Sequence, residues 1–275
     1  MNINLEHIHS VLRLIEDHYN TPISIKDLER VSHYSYRNIQ RIFKYTCGET
    51  IGEYQKRLKI ENGYKLILYT NESLSWIALE VGFDTVASFS KAFKQYFGIS
   101  PKEARLNKPV LFQKNAIVPL PSDTILTPEI LYLPTLKVFY QSAKTHYLND
   151  DIEVLWTTFM THDFPEKGTT YYGVIVDEPL ITYKIKCRYD ACSSAQSPHK
   201  TLPSKAIFGG KYAKFLHRGS YETLDATYTK IYARWILTTK LAFSPSPIIE
   251  QYIKHDSHTE NEADFLTAIL IPLQM

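Results

Sequence analysis

Two segments fifty residues apart, "RIFKYTCG" (41–48) and "KAFKQYFG" (91–98), place a basic residue, a phenylalanine, a lysine and a glycine in register. A chain that repeats such a pattern must build the same local unit twice, and the spacing of its apolar residues says which unit. In 36–44, "YRNIQRIFK", Ile39, Ile42 and Phe43 fall on one face of a helix, and Arg37, Gln40, Arg41 and Lys44 on the other. Ser35 stands at the expected N-cap, and Gly48 stops the helix. The outer face carries two arginines, a glutamine and a lysine, and no acid.

The whole of 5–107 reads as helices. Apolar spacing predicts one over 5–19, with Ile8, Val11, Leu12 and Ile15 inside, and a short one after Ser24 with Ile25, Leu28 and Val31. The turn "SHYS" then leads into the basic-faced helix. A long helix over 51–69 buries Tyr54, Leu58 and Leu66, after which "LSWIALEVGF" and "DTVASFSKAFKQYFG" repeat the short-helix, turn, helix order. Two helix-turn-helix units joined by a long helix are a DNA-reading arrangement, with polar side chains near the start of each second helix. Charge agrees in sign: residues 1–108 hold 15 Lys and Arg against 12 Asp and Glu, the remainder 16 against 17.

The segment "GFDTVASFSKAFKQYFGISPKEAR" (82–105) closely resembles the signature of the AraC/XylS transcription regulators. The resemblance covers about 5–107. It implies a pair of recognition helices in successive major grooves of double-stranded DNA, with base-facing positions at Arg37, Gln40 and Arg41 in the first. Lys44 lies on the same face. In the second helix the matching positions are Ala87, Ser88 and Lys91. Ala87 departs from the longer polar side chains of other members, so Ser88 and Lys91 carry what contact the second helix makes. Glu29 departs from a usual small residue, and His33 from the usual turn glycine.

From Lys108 the pattern changes. Pro109, Pro119, Pro121, Pro128 and Pro134 punctuate a stretch without helical period, so 108–126 reads as a linker between domains 1–107 and 127–275. Beyond it a strand is expected over 137–147, a helix over 150–161 with Val154, Leu155 and Phe159 inside, and strands over 171–176 and 181–189. The order then recurs: strand "KYAKFLHRG", helix 222–241, strands "IIEQYIKHD" and "FLTAILIPL". Two β-α-β-β repeats on an antiparallel sheet give an α+β domain.

This half resembles the GyrI-like, or effector-binding, domain through "YYGVIVDEP" (171–179), "RYDAC" (188–192), "GGKYAKFLHRGSYETL" (209–224), "IIEQYIKHD" (248–256) and "FLTAILIPL" (265–273). An AraC-type reader followed by such a domain is a Rob-type arrangement. The resemblance implies an aromatic pocket around a central glutamate, here Glu250. Strand alternation puts Glu250 and Tyr252 on one face together with Ile248. A carboxylate in that apolar, aromatic setting is costly to bury unless paired, and a lipophilic cation would pair it, aided by aromatic faces. Glu250→Gln is therefore expected to leave the free protein as stable or slightly more so. Trp156, Phe159, Tyr228 and Trp235 lie on the two expected helices as candidate groove residues. His217 and Arg218 are expected to fix a strand-to-helix junction where Ser220 caps.

Three readings of the second half stay open: a small-molecule sensor, a protein-docking module, and a hydrolase using Glu250 and Tyr252. No nucleophile–base order, metal-ligand spacing or phosphate loop appears, so catalysis, metal and cofactor are not expected. The reading predicts a regulator acting with DNA, a small-molecule effector and RNA polymerase. The cysteines Cys47, Cys187 and Cys192 form no C-x-x-C, the start "MNINLEHIHS" has no apolar leader, and no long apolar run exists. A cytoplasmic location away from membranes is the expectation.

Overall fold

Hydroxyl side chains set where most of the N-terminal helices begin. The computed structural model describes residues 5–108, 127–144, 151–162, 164, 168–182, 186–194, 201–256 and 258–275. The expected linker, Lys108 apart, falls outside them, as do 145–150 of the first repeat. The chain divides into two compact units, the boundary falling between Leu106 and Asn107.

In the first unit α1 spans Leu5–Asp17, α2 Ile25–Ser32, α3 Tyr36–Cys47, α4 Ile51–Tyr69, α5 Leu74–Glu80, α6 Val86–Phe97 and α7 Pro101–Leu106. Ser24, Thr50, Ser73 and Thr85 each accept a backbone amide of the helix they precede. Helices α3 and α6 begin and end fifty residues apart, and Gly48 and Gly98 end them at φ 75° and 77°, where a side chain would strain. The first core joins α1 to α4 through Ile8, Val11, Ile15, Leu28, Ile39, Ile42, Phe43, Tyr54 and Leu58. Around the second helix-turn-helix, still within the first unit, Tyr64 of α4 meets Phe93 and Phe97 edge-on at 5.1 and 4.7 Å. Leu66 is buried as expected. Helix α1 stops two residues short of the expected end, in a turn closed by Thr21 N donating to His18 O.

Two departures from the family pattern have physical solutions. Ser35 holds the N-cap position of α3, but its side chain makes no cap bond; Glu29 Oε1 accepts the Tyr36 amide at 2.8 Å instead. A carboxylate there also faces the positive end of the helix dipole. His33 takes the left-handed conformation itself, at φ 54°.

The second unit contains β1 (Glu129–Leu133), β2 (Leu136–Lys144), α8 (Asp151–Phe159), β3 (Tyr171–Ile175), β4 (Arg188–Ser194), β5 (Ser204–Ile207) and β6 (Gly210–Arg218). Then come α9 (Leu224–Lys230), β7 (Ile248–Lys254) and β8 (Leu266–Leu273). Helix α9 enters through a 3-10 turn, Tyr221–Thr223, and continues through a π-turn, Ile231–Trp235, to Thr238. Among the described residues the strands form one antiparallel sheet in the order β1-β6-β8-β7-β3-β4-β2-β5.

Both β-α-β-β repeats are present, and each gains a leading strand, β1 or β5, that pairs with the other repeat. The β1–β2 and β5–β6 turns meet where the Gly209 amide donates to Thr135 Oγ1 at 2.9 Å, so the sheet curls. Its inner face encloses Val138, Tyr172, Val174, Ile207, Tyr212, Ile249 and Leu270. The repeats superimpose strand by strand: Leu136 corresponds to Gly210, Tyr171 to Ile248 and Arg188 to Leu266. Pairing confirms the register, since the row Gln141–Ala191–Gly173 matches the row Phe215–Ile269–Glu250. Gly173 and Glu250 are themselves paired, so the local two-fold passes between them.

Three expectations need correction. Val154 is 63 % exposed, because Leu155 and Phe159, four apart, are the residues of α8 that turn to the sheet. No strand begins at Ile181; the amides of Ile181 and Thr182 close a turn on Glu178 O. Strand β4 starts at Arg188, whose amide and guanidinium both donate to Asp177. Ser220 makes no side-chain cap; its carbonyl accepts from Thr223 and lies 3.1 Å from His217 Nε2, so His217 does hold that junction.

Candidate functional site

The basic-faced helix is built as its periodicity requires. Arg37, Gln40, Arg41 and Lys44 are exposed on α3, while Ile39, Ile42 and Phe43 are buried beneath them. Arg41 Nη2 donates to Asn38 Oδ1 at 3.0 Å, which orients the guanidinium along the helix. At the fifty-residue offset Arg37 becomes Ala87, Arg41 becomes Lys91 and Lys44 becomes Lys94, all exposed. Ser88 is exposed too, but its hydroxyl donates to Thr85 O at 2.8 Å and its amide to Thr85 Oγ1 at 3.1 Å. Its proton is spent on the helix start. Of the two faces, α3 keeps more side chains able to pair with base edges.

In the second unit one carboxylate gathers three phenols. Glu250 is 6 % exposed. Tyr228 donates to Oε1 at 2.7 Å; Tyr189 and Tyr252 donate to Oε2 at 2.7 and 2.9 Å. The Tyr189 and Tyr252 oxygens lie 2.8 Å apart. Burial, and then the neighbouring carboxylate, push all three phenols well above their ordinary range, so they stay protonated donors. Two come from the sheet and one from α9.

Aromatic rings extend outward from this centre. Trp156 stands edge-on to Tyr252 at 5.1 Å and to Phe159 at 5.6 Å. Tyr221 meets Tyr252 at 5.5 Å and stacks on Phe265. Tyr228 stacks on Tyr232 at 6.3 Å, and Tyr232 reaches the buried carboxylate of Glu178 at 3.3 Å. The indole nitrogen of Trp156 is buried without a hydrogen-bond partner among the described residues.

Of the residues singled out by sequence, the structure brings together Glu250, Tyr252, Tyr228, Trp156 and, behind them, Phe159. Trp235 packs instead between Phe215 and Phe243, at 4.8 and 5.5 Å, as helix-to-sheet core. Sequence reasoning missed Tyr189 and Gly173. The carboxylate is also not bare: three phenols satisfy it, so the expectation that Glu250→Gln leaves stability unchanged or raised is withdrawn. Cys192 is buried and its thiol is pushed up to about 12, chiefly by burial, which leaves a small hydrophobe. Among the described residues no group of three His, Cys, Asp or Glu side chains fits a metal ion, and no helix is long and apolar enough to cross a membrane.

Comparison with known proteins agrees with both halves. Residues 126–274 match the GyrI-like small molecule binding domain, and 28–107 a helix-turn-helix domain. YkgA of Escherichia coli, named a "Putative HTH-type transcriptional regulator", is 39 % identical over 98 residues. That match spans 36 % of this chain and 41 % of YkgA. The multiple antibiotic resistance protein MarA of Salmonella typhimurium is 31 % identical over 99 residues, 36 % of this chain and 78 % of MarA. A solved AraC-type transcriptional regulator from Chromobacterium violaceum is 27 % identical, covering 37 % of this chain and 90 % of its own, with a TM-score of 0.35. The solved EcmrR C-terminal domain is 14 % identical over 55 % of this chain and 99 % of its own, with a TM-score of 0.44.

Proposed function

The chain belongs to the AraC-type transcription regulators that carry a GyrI-like small-molecule-binding domain, a family of DNA-binding proteins and not of enzymes, and from that premise we propose that it senses an aromatic or lipophilic cation at Glu250. The observation that carries the proposal is the buried carboxylate inside a ring of aromatic side chains. An organic cation exchanges its hydration for a charge pair with the carboxylate and for the faces of Trp156, Tyr228 and Tyr252. A neutral ligand of the same shape gains only the apolar contact. Phe159 supports Trp156 from below, and Trp235 supports α9 as core.

Sequence reading is assigned to Arg37, Gln40 and Arg41, with Lys44 and Lys91 on phosphates and Ser88 at the α6 entrance. RNA polymerase is the proposed protein partner, since a DNA-bound regulator acts through it. A thermal-shift screen of the full chain against cationic and uncharged aromatic dyes tests the sensor. Stabilisation by cations alone supports it; equal shifts from both classes would sink the assignment of charge to Glu250.

A further inference from the structure

A chain of polar side chains, buried except for Tyr96 at its end (41 % exposed), links the corner after α3 to α6, and DNA contact by itself does not require it. Glu49 sits at the corner between Gly48, which ends α3, and Thr50, which caps α4. Arg57 of α4 grips its carboxylate as a fork, Nη2 to Oε1 at 2.9 Å and Nε to both oxygens at 3.2 Å. Arg57 Nη1 also donates to Glu61 Oε2, one turn further on, at 3.0 Å. Glu61 Oε1 then accepts the hydroxyl of Tyr96, on α6, at 2.9 Å. The side chains of Arg57, Glu49 and Glu61 are 3, 9 and 5 % exposed.

The chain continues toward α1. The Arg57 guanidinium lies 4.8 Å from the centre of the Tyr54 ring, and the Tyr54 hydroxyl donates to Glu16 Oε1 at 2.7 Å. Burial works against the charge on Arg57, but Glu61 and Glu49 outweigh it and hold the guanidinium charged. The hydrophobic effect is non-directional, whereas a planar fork between two carboxylates adds a fixed angle and distance. Gly63, on the same helix, brings α6 close: a Cβ there would stand 2.6 Å from the Phe89 ring.

We propose that Glu49, Arg57, Glu61 and Tyr96 are positioning residues that set the separation and rotational phase at which α3 and α6 meet DNA. The proposal rests on the reading that both helices enter the duplex, in grooves about 34 Å apart. Shifting one groove by a base pair then rotates its target away from a reader that cannot follow. Loosening the tie at Tyr96 lets α6 follow.

The full chain selects a duplex from a random library of about three helical turns, and base pairs are then inserted or removed between the two protected grooves. Wild type loses affinity steeply at either change. Tyr96→Phe keeps the ring and removes one hydrogen bond to a carboxylate, so its penalty for a one-base-pair change shrinks about tenfold, while the parent duplex is bound within about threefold. Glu49→Gln, acting at the other end, does the same and covers the case in which Tyr96→Phe melts early. A wild-type spacing profile in both variants, or equal weakening at every spacing, overturns the proposal. Protection of a single groove overturns it together with the paired-reader reading.

Discussion

Gly173 and Glu250 face each other across the β3–β7 pair at the local two-fold of the repeat, and the glycine gives the carboxylate its room. One repeat supplies an acid at this position, the other supplies space. A Cβ at Gly173 would stand 1.8 Å from Tyr189 Oη and 2.9 Å from Glu250 Oε2. Gly173→Ala therefore pushes Tyr189, which is 1 % exposed, off the carboxylate. Denaturant unfolding is expected to show a loss of about 1–3 kcal/mol, the usual cost of overpacking. Ligand affinity falls with it. An unchanged midpoint would mean the cluster has slack.

On the DNA side, Arg41→Ala is expected to cost about 1–3 kcal/mol on a selected site and to relax the preference at one base position. Gln40→Ala loses more discrimination than any change at Ala87, which has no hydrogen-bonding group. Lys91→Ala lowers the salt slope of binding by about 1 if it neutralises one phosphate. Competition titrations with specific and random duplexes read all three. Equal weakening on both duplexes reduces Arg41 to a phosphate contact.

How far the sequence reaches is visible in particular residues. The α3 and α6 pair was readable because its helix stops, Gly48 and Gly98, and its apolar spacing are local features. Glu250 and Tyr252 were readable as one face because strand alternation is local too. Tyr189 was not: its place beside Glu250 follows from pairing across β4, β3 and β7, and the turn at Glu178 displaced the expected strand. Gly173 matters only through what lies opposite it. Trp235 and Trp156 have the same helical spacing signal, and only packing separates core from site. The leading strands β1 and β5 are short, and each pairs with the other repeat, which no local pattern encodes.

His33 ends α2 in a conformation that costs a side chain about 1–2 kcal/mol. Glycine pays part of that back in unfolded-chain entropy, so His33→Gly is expected to raise stability by about 0.5–1 kcal/mol. Calorimetric melting checks it. A lower melting temperature would show that the ring contacts of His33 with His7, at 5.3 Å, hold more than the strain costs.

His255 gives the second unit a pH dependence of definite sign. Burial, with help from His258, holds its imidazole below the ordinary value of 6.5, although Asp256 pulls the other way. The unfolded chain therefore takes up the proton first as pH falls. Stability is full above about 6.5 and is lost as pH drops through the lower folded value. His255→Asn flattens this part of the melting-temperature profile between neutral and mildly acidic pH. An unaltered profile would place the dependence elsewhere.

The Glu250→Gln variant bears on the phenol cluster before any ligand is added. An amide offers an N–H2 group where an oxygen accepted a phenol, so at least one tyrosine loses its acceptor. The free protein is expected to lose about 1–3 kcal/mol.

The central claim, that Glu250 is the charge a cationic effector meets, is tested most directly by ligand titration of the full-length wild type and Glu250→Gln. Each is titrated with a lipophilic cationic dye and with an uncharged analogue of similar shape, below the melting temperature of the variant. The site geometry predicts a loss for the cation of at least about tenfold, and for the neutral analogue about threefold or less. Equal losses for the two ligands, or none for either, would contradict it.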